Sequence, residues 1–259
     1  MKQVIIIIIL LICIISLFAD ARIDSLEACL NNVTGKEKVK VLNDLALAHV
    51  PSNPEKIEHY ARQALALAEK LDLKKESSES YKLIAVFYYF TGEYDQSIEY
   101  HLKSLRIKEE FDNKQGIANS YNNIGLCKWK QGDYDQALEN FSKSVQIKEE
   151  ISGNGIASSL ANIGIIYAHL IDYEQAMEYF HKALKIWEEM GNEHKIATIY
   201  SSIGIVFDEQ GFYEEALEYH HKALEVFEEI GDKWNIANTY SNIGIIKERQ
   251  NNFKLALDY

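Results

Sequence analysis

Proline and cysteine are both scarce in this chain, and basic residues are outnumbered by acidic ones. The 259 residues include 2 prolines and 3 cysteines, and 39 acidic residues stand against 27 Lys and Arg, for a formal net charge of −12. With 47% hydrophobic residues and so little proline, the chain is neither low-complexity nor disordered by composition. The acidic balance argues against nucleic acid as a partner, because phosphate contacts need clustered Lys and Arg.

Motifs for metal or cofactor chemistry are also missing. No H-E-x-x-H or C-x-x-C spacing occurs, and His220 and His221 are adjacent, so that they point to different sides of a helix. Cys29 and Cys127 are too far apart in sequence to suggest a disulfide framework, and we interpret both as unpaired apolar residues. We therefore expect no enzyme activity, no metal and no cofactor.

One long apolar run occurs, at the N-terminus. It extends from Val4 to Ala19, follows Lys2, and is broken only by Ser16. A basic start, a short apolar centre and small residues afterwards are the layout of a signal peptide. Residues 1–21 are thus predicted to be removed before Arg22, leaving an exported, periplasmic or extracellular protein. The alternative is an uncleaved membrane anchor, but the run is shorter than the roughly 20 residues that span a bilayer.

The rest of the chain repeats itself every 39 or 40 residues. Three series of residues show this period, and a fixed period in this range indicates a repeat architecture. The series are Tyr81, Tyr121, Leu160, Tyr200 and Tyr240; Ala85, Gly125, Gly164, Gly204 and Gly244; and Ser97, Ala137, Ala176, Ala216 and Ala256.

Within one unit the apolar residues step by three and four, which predicts two helices. Between them, Gly132 suits the left-handed conformation that ends a helix, and Asp133 suits the cap of the next one. Gly125 and Ala137 are small where two helix backbones approach closely, and Phe141 fills the space beside them. Each unit is therefore predicted to be a helical hairpin, and stacked hairpins form a solenoid.

These residues resemble the tetratricopeptide repeat. The family pattern is, in order, a bulky residue, a Leu-Gly pair, an Ala, an aromatic residue and a small residue. The 40-residue period resembles that of the long-helix variant found in bacterial signalling proteins. The residues that carry it are Tyr121, Ile124, Gly125, Ala137, Phe141 and Ser144. The resemblance implies an all-α, right-handed solenoid over residues 36–259, after a lead-in at 22–35. Five hairpins are expected, near 36–73, 76–113, 116–152, 155–192 and 195–232, with a truncated sixth.

The resemblance also implies a concave groove lined by the first helix of each hairpin. Groove positions in this sequence are occupied by Asn119, Asn122, Asn123, Trp129, Lys130, Asn162, Asn238 and Asn242. Asn amides both donate and accept, so Asn123, Asn162 and Asn242 form a predicted ladder for the backbone of an extended peptide. The alternative is that these Asn tie neighbouring hairpins together. Trp129 is either an aromatic anchor, together with Tyr89 and Phe90, or part of the core.

Two functions are compatible with this pattern. The first is a non-enzymatic scaffold, exported across the inner membrane, that holds a protein or peptide in its groove. The second is the extracytoplasmic sensor of a larger signalling protein, a histidine kinase or nucleotide cyclase, because the sixth hairpin stops within "FKLALDY" at Tyr259. A membrane contact is expected only through a later segment or an uncleaved signal.

Overall fold

The computed structural model of the chain describes residues 21–50, 52–151 and 155–256. The predicted signal peptide, apart from Ala21, lies outside the described residues, as do residues 257–259. Every regular element in the described ranges is a helix, which confirms the all-α prediction. Each of these helices is too short or too polar to span a bilayer.

The chain divides into two compact units, residues 1–152 and residues 153–259. In the first unit, residues 21–30 form helix α1, and three hairpins follow, α2 with α3, α4 with α5 and α6 with α7. The bounds are α2 Gly35–Ala48, α3 Pro54–Lys70, α4 Lys74–Phe90, α5 Tyr94–Glu110, α6 Lys114–Lys130 and α7 Tyr134–Glu150. From α2 onward each helix packs on the next, and α2 also contacts α4, so the first helices of the first two hairpins lie side by side.

The second unit repeats this arrangement. Its hairpins pair α8 with α9, α10 with α11, and α12 with the short α13, and α10 contacts both α8 and α12. The bounds are α8 Ile156–His169, α9 Tyr173–Glu189, α10 Glu193–Glu209, α11 Tyr213–Ile230, α12 Lys233–Arg249 and α13 Phe253–Ala256.

The turn inside a hairpin follows the local sequence. Gly132 has φ +78°, and its N–H donates to the Trp129 carbonyl at 2.9 Å, while the Asp133 N–H donates to the Lys128 carbonyl at 3.0 Å. Asp133 then caps α7 by accepting from the Gln136 N–H at 3.2 Å. These bonds satisfy backbone groups that the helix ends leave open, as the sequence predicts.

In the hairpins α6–α7 and α8–α9, packing between the two helices depends on a glycine that faces an aromatic ring. A Cβ on Gly125 would lie 2.8 Å from the Phe141 ring, and one on Gly164 would lie 2.7 Å from the Phe180 ring. Both rings are almost fully buried. The mid-helix glycine therefore creates the space for the ring, because real Cβ atoms do not approach so closely.

Candidate functional site

The first helices of the three hairpins in residues 1–152 together form a cleft of about 330 Å³. Side chains spaced by three or four residues share one helix face, so each helix presents a short row to this cleft. Its walls are Leu47 and Val50 at the end of α2, Lys82 and Val86 on α4, and Asn119, Asn122 and Asn123 on α6. The structure thus brings together three of the predicted groove residues.

The cleft combines exposed apolar groups with amides. Leu47 is 45% exposed, and the Lys82 amine pairs with Glu79 on its own helix. Asn119 accepts a hydrogen bond from Gln115 at 3.1 Å. The Asn123 side chain is half-buried. Such a surface can hydrogen-bond a peptide backbone and cover an apolar side chain.

A buried polar contact ties the second hairpin to the third. The Lys108 amine of α5 donates to the Ser120 hydroxyl of α6 at 2.9 Å. Burial lowers the pKa of Lys108 to about 8, and the positive charge of Lys82 acts in the same direction. This pairing uses a Lys and a Ser, and neither belongs to the predicted Asn ladder.

Trp129 and Lys130 lie at the C-terminal end of α6 and are not among the walls of the cleft. The Lys130 amine is 4.7 Å from the centre of the Trp129 ring, a cation–π contact at a partly exposed site. Phe90 is 50% exposed and packs edge-on against Tyr89, with ring centres 5.9 Å apart. A role for these aromatics in binding stays a prediction.

The remaining predicted groove residues lie in residues 153–259. Asn162 is half-buried on α8, while Asn238 is exposed and Asn242 half-buried on α12, with α10 between the two helices. The predicted ladder has Asn123 in the first unit and Asn162 and Asn242 in the second. The ladder stays a prediction.

A second cavity, of about 470 Å³, lies among α8, α9 and α10. Apolar side chains dominate its walls, with Glu209 and His169 among the polar ones. Sequence reasoning missed the apolar walls of this cavity and the contributions of Leu47 and Lys82 to the first cleft. One feature of the sequence could have indicated the cavity. Ile171 occupies the turn position at which other hairpins have Gly92, Gly132 and Gly211.

No group of three or more His, Cys, Asp or Glu in the described ranges is arranged to hold a metal ion. The acidic pairs that end the second helices are exposed, consistent with a solvated face. These pairs are Glu149 with Glu150, Glu188 with Glu189, and Glu228 with Glu229.

A family model of the tetratricopeptide repeat matches residues 76–150, 155–211 and 195–259. The chain belongs to the tetratricopeptide-repeat family. No curated protein sequence matches it.

Several solved structures share this tetratricopeptide-repeat fold. The apo form of RapI is 20% identical, with a TM-score of 0.73 over 90% of this chain and 84% of that one. A Rap protein complexed with competence and sporulation factor is 19% identical, with a TM-score of 0.66 over 88% of this chain and 69% of that one. A signal transduction ATPase from Pyrococcus horikoshii with a tetratricopeptide repeat sensor is 19% identical, with a TM-score of 0.71 over 82% and 33%. Identities this low show the fold alone.

Proposed function

We propose that this tetratricopeptide-repeat protein is a non-enzymatic binding module that holds an extended peptide or protein segment in the cleft formed by α2, α4 and α6. The observation that carries the proposal is the meeting of Asn119, Asn122 and Asn123 with the apolar Leu47 and Val50 in that cleft. The amides are suited to a peptide backbone, which any sequence presents, and the apolar end is suited to one side chain of the ligand.

Two features of the family and fold support this function. Repeat arrays form extended concave surfaces, and repeat proteins use these surfaces for binding. A Rap protein with the same fold was solved in complex with competence and sporulation factor. By analogy, we expect this chain to bind a ligand as well.

The test begins with selection of ligands from a random peptide-display library by the full chain. A selected peptide is then labelled with fluorescein, and its Kd is measured by anisotropy. We expect Asn119→Ala with Asn123→Ala to weaken binding about tenfold, because each lost hydrogen bond contributes about 0.5–1.5 kcal/mol. Circular dichroism should show unchanged helicity.

Asn140→Ala is the matched control. Asn140 is a half-buried Asn of the same hairpin, but it lies on α7, where its amide donates to the Gln136 carbonyl at 2.7 Å. Its loss should leave the Kd unchanged. Equal affinity of the double variant and the parent would show that the amides in the cleft are not used for binding.

Export is a second element of the proposal, and the basic start and apolar run of residues 2–19 support it. Fusion to a phosphatase that is active only outside the cytoplasm tests export, and N-terminal sequencing of the mature protein tests cleavage. We expect activity and a mature N-terminus at Arg22. A cytoplasmic product that keeps Met1 would contradict the proposal.

The alternative is that the array is the sensing part of a larger signalling protein. One observation favours it: the Pyrococcus horikoshii protein is described as having a tetratricopeptide repeat sensor, and this chain covers 33% of its length. The gene sequence after the codon for Tyr259 tests the alternative. An apolar run of about 20 residues, followed by a kinase or cyclase domain, would favour it over the scaffold.

A further inference from the structure

The turn between α8 and α9 has an unusual residue at its sharpest point. Ile171 has φ +64°, and its N–H donates to the Ala168 carbonyl at 3.0 Å. The equivalent turns of other hairpins have the same conformation, with φ +78° at Gly132 and φ +82° at both Gly92 and Gly211. Ile171 therefore occupies a position at which these other hairpins have glycine.

This conformation is unfavourable for isoleucine. Its branched Cβ crowds the backbone in the left-handed region, which Gly, Asn and Asp tolerate far better. The other residues with positive φ in the described ranges are of those tolerant types, and they are Asp72, Asp112 and Asn251 together with the glycines. The strain is not offset by burial, because Ile171 is 72% exposed.

The exposed Ile171 side chain forms one wall of the cavity among α8, α9 and α10. Ile165, Ile205 and Val206 form other apolar walls, and the whole volume is about 470 Å³. Ile205 is itself 46% exposed. Strained residues that persist in a fold tend to lie at functional sites, and an exposed apolar wall is suited to contact with a ligand.

The polar wall of this cavity indicates the charge of a ligand. The Arg249 guanidinium pairs with Asp208 at 2.8 Å and lies farther, at 3.6 Å, from the Glu209 carboxylate. One positive charge is thus shared by two negative ones, and Glu209 lines the cavity while half exposed. The cavity therefore combines apolar walls with the Glu209 carboxylate, whose Arg249 partner lies closer to Asp208, and this combination is complementary to an apolar group next to a cation.

We propose that this cavity is a second peptide-binding site that accepts a bulky apolar side chain, with a Lys or Arg of the same peptide beside Glu209. Ile171 is an apolar anchor of the site, and Glu209 sets its preference for a basic residue. The proposal rests on the proposed function only in that the ligand is a peptide. It requires nothing of the cleft formed by α2, α4 and α6.

The probe is a blocked synthetic peptide, acetyl-Gly-Ser-Leu-Ser-Lys-Ser-amide, added to full-length protein with ¹³C-labelled isoleucine methyl groups. Nuclear magnetic resonance then detects even weak binding at individual methyl groups, which are assigned by substitution. We expect the Ile171 and Ile205 signals to shift in a saturable manner. Replacing the peptide's Leu by Ala should weaken binding by about tenfold or more. Replacing its Lys by Glu should weaken binding roughly fivefold, as expected for an exposed ion pair.

Two substitutions in the turn separate binding from folding. Ile171→Gly should weaken binding of the probe roughly threefold or more, as followed at Ile205, without lowering the melting temperature, because glycine adopts the turn without strain. Leu170→Ala is the control: Leu170 is 45% exposed in the same turn but is not a wall of the cavity, so binding should not change.

The outcomes also separate this site from the first cleft. Shifts at Ile171 that persist in the Asn119→Ala, Asn123→Ala variant support the second site whatever happens at the first. Failure of Ile171 to respond at the highest soluble peptide concentration, or an unchanged Kd in Ile171→Gly, overturns the second site and leaves the first intact. Loss of the preference for Lys over Glu in Glu209→Gln is expected, and its retention would refute the role of Glu209.

Discussion

Replacement of the buried His220 by phenylalanine should make the protein less sensitive to acid. His220 follows Phe141 and Phe180 in the repeat, and its ring lies 3.0 Å from the place where a Cβ on Gly204 would be. The side chain is 1% exposed, and its Nδ1 has no hydrogen-bond partner among the described residues. Burial lowers the pKa of His220 to about 4, with a smaller contribution from the positive charge of His221.

The sign of the effect follows from the two pKa values. Above about pH 6.5 the imidazole is neutral in both states, so the folded state incurs no protonation cost. Below pH 6.5 the unfolded chain binds a proton that the folded one excludes, and stability falls until about pH 4. The full loss is roughly 3 kcal/mol, since each pKa unit corresponds to about 1.4 kcal/mol. At pH 5 the loss is roughly 2 kcal/mol by the same relation.

His220→Phe removes the cost of protonation at this position. The introduced phenylalanine ring should fit against Gly204, because Phe180 packs on Gly164 and Phe141 on Gly125 in the same way. Urea denaturation followed by circular dichroism gives the free energy of unfolding at pH 7.5 and pH 5. We expect the advantage of the variant over the parent to grow by roughly 2 kcal/mol between these pH values. Phe180→His is the reciprocal variant, and it should create a new acid sensitivity.

A difference between His220→Phe and the parent that does not change with pH would refute the reasoning. It would mean that the folded protein accommodates the proton at His220. His101, at the equivalent position in the second hairpin, does not confuse the comparison, because it is present in both proteins. Burial lowers the pKa of His101 to about 3, and the nearby Lys108 and Lys82 act in the same direction.

Two further substitutions test the packing and the buried charge. Gly164→Leu should destabilise by about 1–3 kcal/mol, because the new side chain meets the Phe180 ring, and an unchanged melting temperature would contradict this account of the hairpin. Lys108→Met should remove a pH dependence of the free energy of unfolding at alkaline pH. The pKa of Lys108 is about 8 in the folded protein and 10.5 in the unfolded chain. The cost of burying the charged amine is therefore full below pH 8 and decreases as the pH rises. The parent should therefore gain roughly 2 kcal/mol relative to the variant between pH 8 and pH 10, measured by urea denaturation, and a constant difference would argue against a buried charged amine.

Much of the fold could be predicted because its signals are local. Gly132 and Asp133 set a turn within a few residues, and the spacing of Gly125 and Phe141 places both on the facing sides of one hairpin. The candidate cleft could be predicted only in part, since Asn119, Asn122 and Asn123 share a helix face by spacing alone. The contribution of Leu47 and Lys82 depends on how three separate helices pack.

The sequence by itself determined that this is an all-α array of repeated hairpins, because helix periodicity, turn residues and the period of 39 or 40 residues act over short distances along the chain. Tertiary structure alone decided which side chains meet. It placed His220 in a core position, where burial suppresses its protonation, and it placed the exposed Ile171 in the wall of a cavity. Both outcomes depend on desolvation and packing between helices, and these are set by contacts that the linear order of residues does not reveal.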